Sequence, residues 1–228
     1  MLHHQLTRRA QGFSLLELVV AAAIIATVSA WAMPNFIRTL RQGDVDRYTQ
    51  AIEAGLYDLR ATLGTSRSSC QLTFNQTQTW VNPYQLLEFR QPNGTYQETD
   101  RLRCCNSQIH QAKLALGSSE ECEDGPKIGS LLQNASSLRF IRLEGSPESK
   151  QVEVAVSTGD YELTPPGTSA RTEPIIFMVR SLEAGNDNRL RTRCVEISGS
   201  GHLSRGTWEG SLSQGYCRSR GAETRPNP

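Results

Sequence analysis

The sequence predicts an α+β fold in which one long N-terminal helix, apolar over its first half, packs on a C-terminal antiparallel β-sheet. Three features carry that expectation. A run of 21 residues, Phe13 to Met33, holds a single charged side chain, Glu17. Beyond it, Tyr48, Ile52, Leu56, Leu59 and Leu63 recur at steps of four, four, three and four, the spacing of one helical face. From about residue 138 the pattern changes to short apolar runs, with Val152, Val154 and Val156 alternating with other residues between turn signals.

Residues 1–12 form a hydrophilic leader with Arg8 and Arg9, ending in Gly12. His3 and His4 stand in it, a pair that can bind metal, but the segment is expected to be removed. Residues 13–34 are the transmembrane helix. At about 1.5 Å rise per residue the apolar run makes a helix of about 31 Å, long enough to cross a bilayer. A carboxylate inside such a span costs about 2.5–3.5 kcal/mol, so Glu17 needs a partner. Phe13 lies four residues before it, on the same helical face. A cut after Gly12 would give Phe13 a free amino group, a cation of the right sign and depth to neutralise Glu17.

Other N-terminal signals fit less well. Ala21-Ala22-Ala23 imitates a secretory cleavage site, but Glu17 interrupts the core and the apolar sequence runs on past it. Thr7-Arg8-Arg9 suggests a twin-arginine signal, yet Gln11 stands where that motif wants an apolar residue. An uncleaved signal anchor explains the length and a cytoplasmic Arg8 and Arg9, and leaves Glu17 unexplained.

Pro34 lacks an N–H and should kink the helix rather than end it, because helical pattern resumes at once. Residues 35–64 read as an amphipathic continuation. Gly43 and Gly55 each weaken it by about 1 kcal/mol against alanine, so packing must hold it. Gly64-Thr65-Ser66 is the stop signal.

Residues 65–137 read as a loop-rich, disulfide-stapled region. Leu72-Thr73-Phe74 and Leu86–Phe89 are separated by the turn signals Asn82-Pro83 and Gln91-Pro92-Asn93-Gly94, and Gln108–Leu116 fits a short helix. Residues 138–217 hold the expected sheet, a meander of four or five strands. These are Leu138–Leu143, Val152–Val156, Ile175–Val179 as the central strand, Leu190–Ser198 and Leu203–Trp208. The helical face from Tyr48 to Leu63 is the available cover for it. Residues 218–228, with Arg218, Arg220 and Arg225 against Glu223, form a flexible tail.

Six cysteines behind an export-type N-terminus point to an oxidising compartment and to disulfides. Their spacings match no zinc module, and six cysteines allow fifteen pairings. Adjacent Cys104 and Cys105 should find different partners, for which Cys70 and Cys122 are candidates. A loop of about 15–25 residues closed in this way is worth about 3 kcal/mol.

No phosphate-binding glycine loop, His-Glu-x-x-His, Cys-x-x-Cys or nucleophile elbow occurs. Gly199-Ser200-Gly201-His202 invites a hydrolase reading, but neighbours in a hairpin turn rarely meet in triad geometry, and no oriented acid is evident. His110 and His202 are too few for a histidine metal site. No catalytic residue, cofactor or metal ligand is therefore assigned, and the chain reads as a non-enzyme. Two of the 24 Lys and Arg residues lie in the leader, leaving 22 against 23 acidic residues, a balance that gives no general nucleic-acid-binding character.

The residues Gly12-Phe13-Ser14-Leu15-Leu16-Glu17, with Pro34 closing the apolar run, resemble the class III signal of type IV prepilins and pseudopilins. The resemblance covers residues 1 to about 64. Many members carry a glycine halfway along the run, where this chain has Ala26. The family implies the same pilin-like fold. It also implies that a prepilin peptidase cleaves after Gly12 and methylates Phe13, and that Glu17 pairs with a neighbouring subunit's N-terminus during assembly. Cys194 and Cys217 bracket the last hairpin, resembling the disulfide-bounded C-terminal loop of many pilins; pairing of Cys217 with an upstream cysteine is the competing arrangement.

By this resemblance the chain is expected to be a structural, minor pilin-like subunit of a type IV pilus. Its 216 mature residues and six cysteines exceed what a typical major pilin carries. The alternatives are a pseudopilin of a type II secretion system and a minor pilin of DNA uptake whose basic tail touches phosphates. A catalytic ectodomain on a signal anchor is the reading from another class. Expected partners are the peptidase, other pilin or pseudopilin subunits, the inner or cytoplasmic membrane before assembly and, on the third reading, DNA. The C-terminal domain would be extracytoplasmic, first on a single-pass anchor and then in a pilus or pseudopilus.

Overall fold

The computed structural model describes residues 14–66, 68–95, 102–106, 140–141, 144–163 and 173–219. Helix α1 (Leu15–Ser66) continues through Pro34 without interruption. The chain divides into two compact units, Met1–Leu40 and Arg41–Pro228, and α1 contributes to both.

Among the described residues of the second unit, eight strands form two antiparallel sheets. Strands β1 (Ser68–Thr73), β2 (Leu102–Asn106) and β4 (Asp160–Leu163) make one, in the order β2-β1-β4. Strands β3 (Val152–Val156), β5 (Ile175–Ser181), β6 (Arg193–Ile197), β7 (Leu203–Gly210) and β8 (Gly215–Ser219) make the other, in the order β3-β5-β6-β7-β8. From β5 onward the second sheet is a meander, whereas between β3 and its neighbour β5 the chain detours through β4 of the other sheet. A single turn of helix, α2 (Pro83–Leu86), follows β1.

Period-two alternation builds the face that α1 covers. Val156, Phe177 and Val195 lie side by side across β3, β5 and β6, and Val154 lies beside Val179. Against them α1 sets Val45, Tyr48, Ile52, Leu56, Leu59 and Leu63, all buried. The two sets share one apolar core with Leu72, Tyr161 and Leu163 of the smaller sheet. Helix packed on antiparallel sheet is thus the architecture, as the periodicities predict.

Gly55 has a structural role that helix propensity conceals. A Cβ there would stand 1.7 Å from the Phe140 carbonyl oxygen, so only glycine lets that backbone lie against α1. Phe140 in turn packs near Phe74, Phe89 and Phe177, with ring centroids 6.0, 6.1 and 6.4 Å away.

Buried polar groups tie the pieces together. The Tyr48 hydroxyl donates to Glu88 Oε1 (3.0 Å), and the Gly145 N–H donates to Glu88 Oε2 (3.0 Å). The Arg90 N–H donates to Glu144 Oε2 (3.0 Å). These bonds allow Glu88 to be buried with its carboxylate oxygens hydrogen-bonded. Buried Arg60 donates to the Gly201 carbonyl. Gln42 mimics a strand neighbour: the Arg191 N–H donates to its Oε1 (2.8 Å), and its Nε2 donates to the Arg191 carbonyl (3.3 Å). Arg193 grips Asp46 through Nε (2.5 Å) and Nη2 (3.3 Å).

Cys194 and Cys217 form a disulfide. They sit on β6 and β8 with β7 between them, yet their Cα atoms are 5.8 Å apart. Two spacings in a flat sheet would be about 9.6 Å, so the β7–β8 ribbon curls back over β6. Gly206 marks the bend: a Cβ there would lie 2.2 Å from the Arg218 carbonyl oxygen.

Several sequence expectations change. The stretch expected to be loop-rich supplies β1, α2 and β2. Phe140 and Ile141, placed by the sequence in a strand, are not in one; they cap the core beside Gly55. The rest of Leu138–Leu143, and the expected helix Gln108–Leu116, lie outside the described residues. Ile175–Val179 is interior but second in its sheet, not central. Arg218, assigned to the tail, belongs to β8.

Two glycine substitutions should act in opposite directions. Gly43→Ala meets only the Arg47 side chain at 3.8 Å and should stabilise by up to about 1 kcal/mol. Gly55→Ala must displace backbone and should cost about 1–3 kcal/mol; thermal melting of the two variants in micelles checks both signs.

Burial raises the Tyr48 phenol well above its ordinary pKa, and the charge and hydrogen bond of Glu88 add to the shift. Because the folded value is the raised one, this stabilisation is complete below about pH 10 and lost as the pH rises beyond it. Tyr48→Phe should therefore be less stable at pH 8, by about 1–3 kcal/mol for the lost donor to Glu88, with a shallower alkaline decline. Urea denaturation from pH 8 to 11 measures both.

Candidate assembly site

The first unit offers one candidate site, the exposed apolar stretch of α1. Leu15, Leu16, Leu18, Val19 and Val20 are nearly consecutive, and each is more than half exposed. Farther along, Ile24, Ile25, Val28, Trp31 and Phe36 are exposed as well. Exposed apolar groups therefore surround the axis, the pattern of a helix whose solvent is lipid or other helices rather than water. Among the described residues α1 is the helix long and apolar enough to cross a membrane.

Two polar groups within the span are handled locally. Ser14 lends its carbonyl to the Leu18 N–H (3.1 Å). The Thr27 hydroxyl lies 3.1 Å from the Ala23 carbonyl and 2.9 Å from that of Ile24, so it need not seek water. Sequence reasoning passed over Thr27; its signal is a hydroxyl four residues after Ala23. Pro34 cannot donate to the Ala30 carbonyl. Just beyond it the surface turns polar, with Thr39 donating to the Asn35 carbonyl (3.0 Å) and Arg38 to Asn35 Oδ1 (3.3 Å).

Of the residues singled out in the sequence, Gly12 and Phe13 lie outside the described residues. Glu17 is exposed in the first turn of α1, where a negative charge suits the helix dipole. Pro34 is about 26 Å farther along the same helix, so the two do not meet within one chain. Among the cysteines, Cys70 is buried and disulfide-bonded, and its Cα is opposite Cys104 in the β1–β2 register. Cys105 is in β2, and Cys122 lies outside the described residues.

The Ser200–His202 turn is tied together through Ser198. The Ser200 hydroxyl is 2.9 Å from that of Ser198, and His202 offers Ser198 its backbone N–H, at 3.0 Å. Among the described residues the His202 imidazole takes no part.

Residues 7–33 match the prokaryotic N-terminal methylation motif, the class III signal of type IV pilins and pseudopilins. Neither curated proteins nor solved structures give a significant match. The matched span is confined to the N-terminal segment and includes Gly12, Phe13 and Glu17.

An arginine placed mid-span should disrupt membrane insertion. Ile24→Arg should cost about 2.5–3.5 kcal/mol, seen as loss of the protein from the alkali-resistant membrane fraction. Asn35→Arg, beyond the apolar run, should remain in that fraction.

Proposed function

We propose that the protein is a minor pilin-like subunit of a type IV pilus, made as a membrane-anchored precursor and drawn into the filament through α1. The observation that carries this reading is Glu17, the sole charged side chain between Phe13 and Met33 and the fifth residue after Gly12, inside the matched methylation motif. A carboxylate there is unfavourable in lipid and becomes favourable once a neighbour's amino-terminal cation is beside it.

On this reading the prepilin peptidase cuts after Gly12 and methylates the Phe13 amine. The leader, with Arg8 and Arg9, stays on the cytoplasmic side, and the C-terminal unit faces outward. The subunit performs no chemistry itself. Its work is to exchange lipid for neighbouring helices around the exposed apolar stretch, with Glu17 setting the register. The number of cysteines and the size of the mature chain favour a minor over a major subunit.

Intact mass spectrometry of the mature protein should give a chain beginning at Phe13 with one added methyl group. A chain retaining Met1, or cut near Ala23, contradicts the proposal. Glu17→Ala should leave the melting temperature of the second unit unchanged and reduce recovery in sheared pili several-fold. Normal recovery would remove the assembly role, and recovery only with secretion components would make the protein a pseudopilin.

A further inference from the structure

Between α1 and the β7–β8 ribbon lies a cavity of about 180 Å³ lined chiefly by Asp46, Gln50, Arg193, Arg205, Thr207 and Arg218. We propose that this cavity binds a multivalent oxyanion of the phosphate class, held by Arg205 and Arg218. The site lies wholly within the second unit, and its role is separate from assembly through the apolar helix.

Strand register puts the arginines there. Arg193 is opposite Thr207, and Thr207 is opposite Arg218, so the three form a row across β6, β7 and β8. Arg205 is two residues from Thr207 on β7 and therefore shares its face. Paired strands fix the backbone positions of these arginines, and the ion pairs of Arg205 with Glu53 and of Arg218 with Glu209 restrain their guanidinium groups, which lowers the ordering that binding must impose.

The three arginines differ in what they have left to give. Arg193 uses Nε and Nη2 on Asp46 and Nη1 on Thr207 (2.6 Å), so it neutralises Asp46 and is committed. Arg205 gives Nη1 to Glu53 at 3.3 Å, and Arg218 gives Nη1 to Glu209 at 3.1 Å. Among the described residues neither guanidinium makes another side-chain bond, although each carries five N–H donors. Both are accessible, at 33% and 55% side-chain exposure.

A tetrahedral dianion has oxygens enough to bridge two guanidinium groups, which chloride does not, and planar forks of this kind suit phosphate. Gln50 on α1 adds an exposed amide at the wall. Glu53 and Glu209 compete with the incoming anion for the same arginines. Removing either carboxylate should therefore strengthen binding, an effect that a purely structural ion-pair network would not produce.

The test is calorimetric titration of the full mature chain in maltoside micelles with inorganic phosphate, against sodium chloride at matched ionic strength. Saturable binding of phosphate, absent with chloride, is expected. Arg205→Gln/Arg218→Gln should weaken it at least tenfold, and Glu209→Gln should tighten it about threefold or more. Methyl phosphate distinguishes the source: equal or tighter binding points to a phosphate ester, and loss of binding points to the free ion. The proposal is overturned if phosphate does no more than chloride, if the double variant binds like the parent, or if Glu209→Gln fails to tighten binding.

Discussion

The face of α1 from Val45 to Leu63 must be kept from water, and the second unit is organised around that requirement. Burial of each large side chain on it is worth about 1.5–3 kcal/mol, whereas Gly43 and Gly55 together cost the helix about 2 kcal/mol. Packing wins by a wide margin, so a helix with poor local propensity is still well determined. The cover comes from two directions: the inward residues of β3, β5 and β6, and the Phe140–Ile141 backbone at Gly55. That second contact requires a residue without a side chain at one position of the helix. The same glycine is thus a local weakness and a tertiary necessity.

Polar ties then orient what the core holds. A buried carboxylate is tolerable only when its oxygens are hydrogen-bonded, and Glu88 takes one bond from α1 through Tyr48 and another from the Gly145 turn. At the start of β6, Gln42 and Asp46 engage Arg191 and Arg193 within a single helical turn. The stretch of α1 from Leu15 to Phe36 instead carries exposed apolar side chains. One continuous helix therefore presents two chemistries, one satisfied within the folded chain and one that requires a different solvent or neighbouring helices.

What could be read from the sequence follows from how strong each pattern is. The apolar run, its one acid and the four-four-three-four helical face are long-range periodicities, and they match the observed helix and its buried side. Strands β1, β4 and β8 were not foreseen because Ser-Ser-Cys-Gln-Leu-Thr, Asp-Tyr-Glu-Leu and Gly-Tyr-Cys-Arg-Ser are short and mostly polar. Phe140 and Ile141 misled in the opposite sense: an apolar pair needs burial, and burial can be had without a ladder. Arg205 and Arg218 are thirteen positions apart, and only the β7–β8 pairing reveals that they share a cavity wall. Within the N-terminal motif, the identities of Gly12, Phe13 and Glu17 carry the assignment without any tertiary information.

The curl that carries β8 back over β6 places a covalent bond across three strands. In the folded unit Cys194 and Cys217 meet because β7 lies against β6 and bends at Gly206, so this covalent bond clamps the curled hairpin. Thiols remain reduced in the cytosol and oxidise in exported compartments. A newly made chain still in the cytosol would therefore hold its last strand by ladder bonds alone. The final strand would lock only where oxidation is available, making the state of one sulfur pair a chemical record of whether that end of the chain has left the compartment in which it was synthesised.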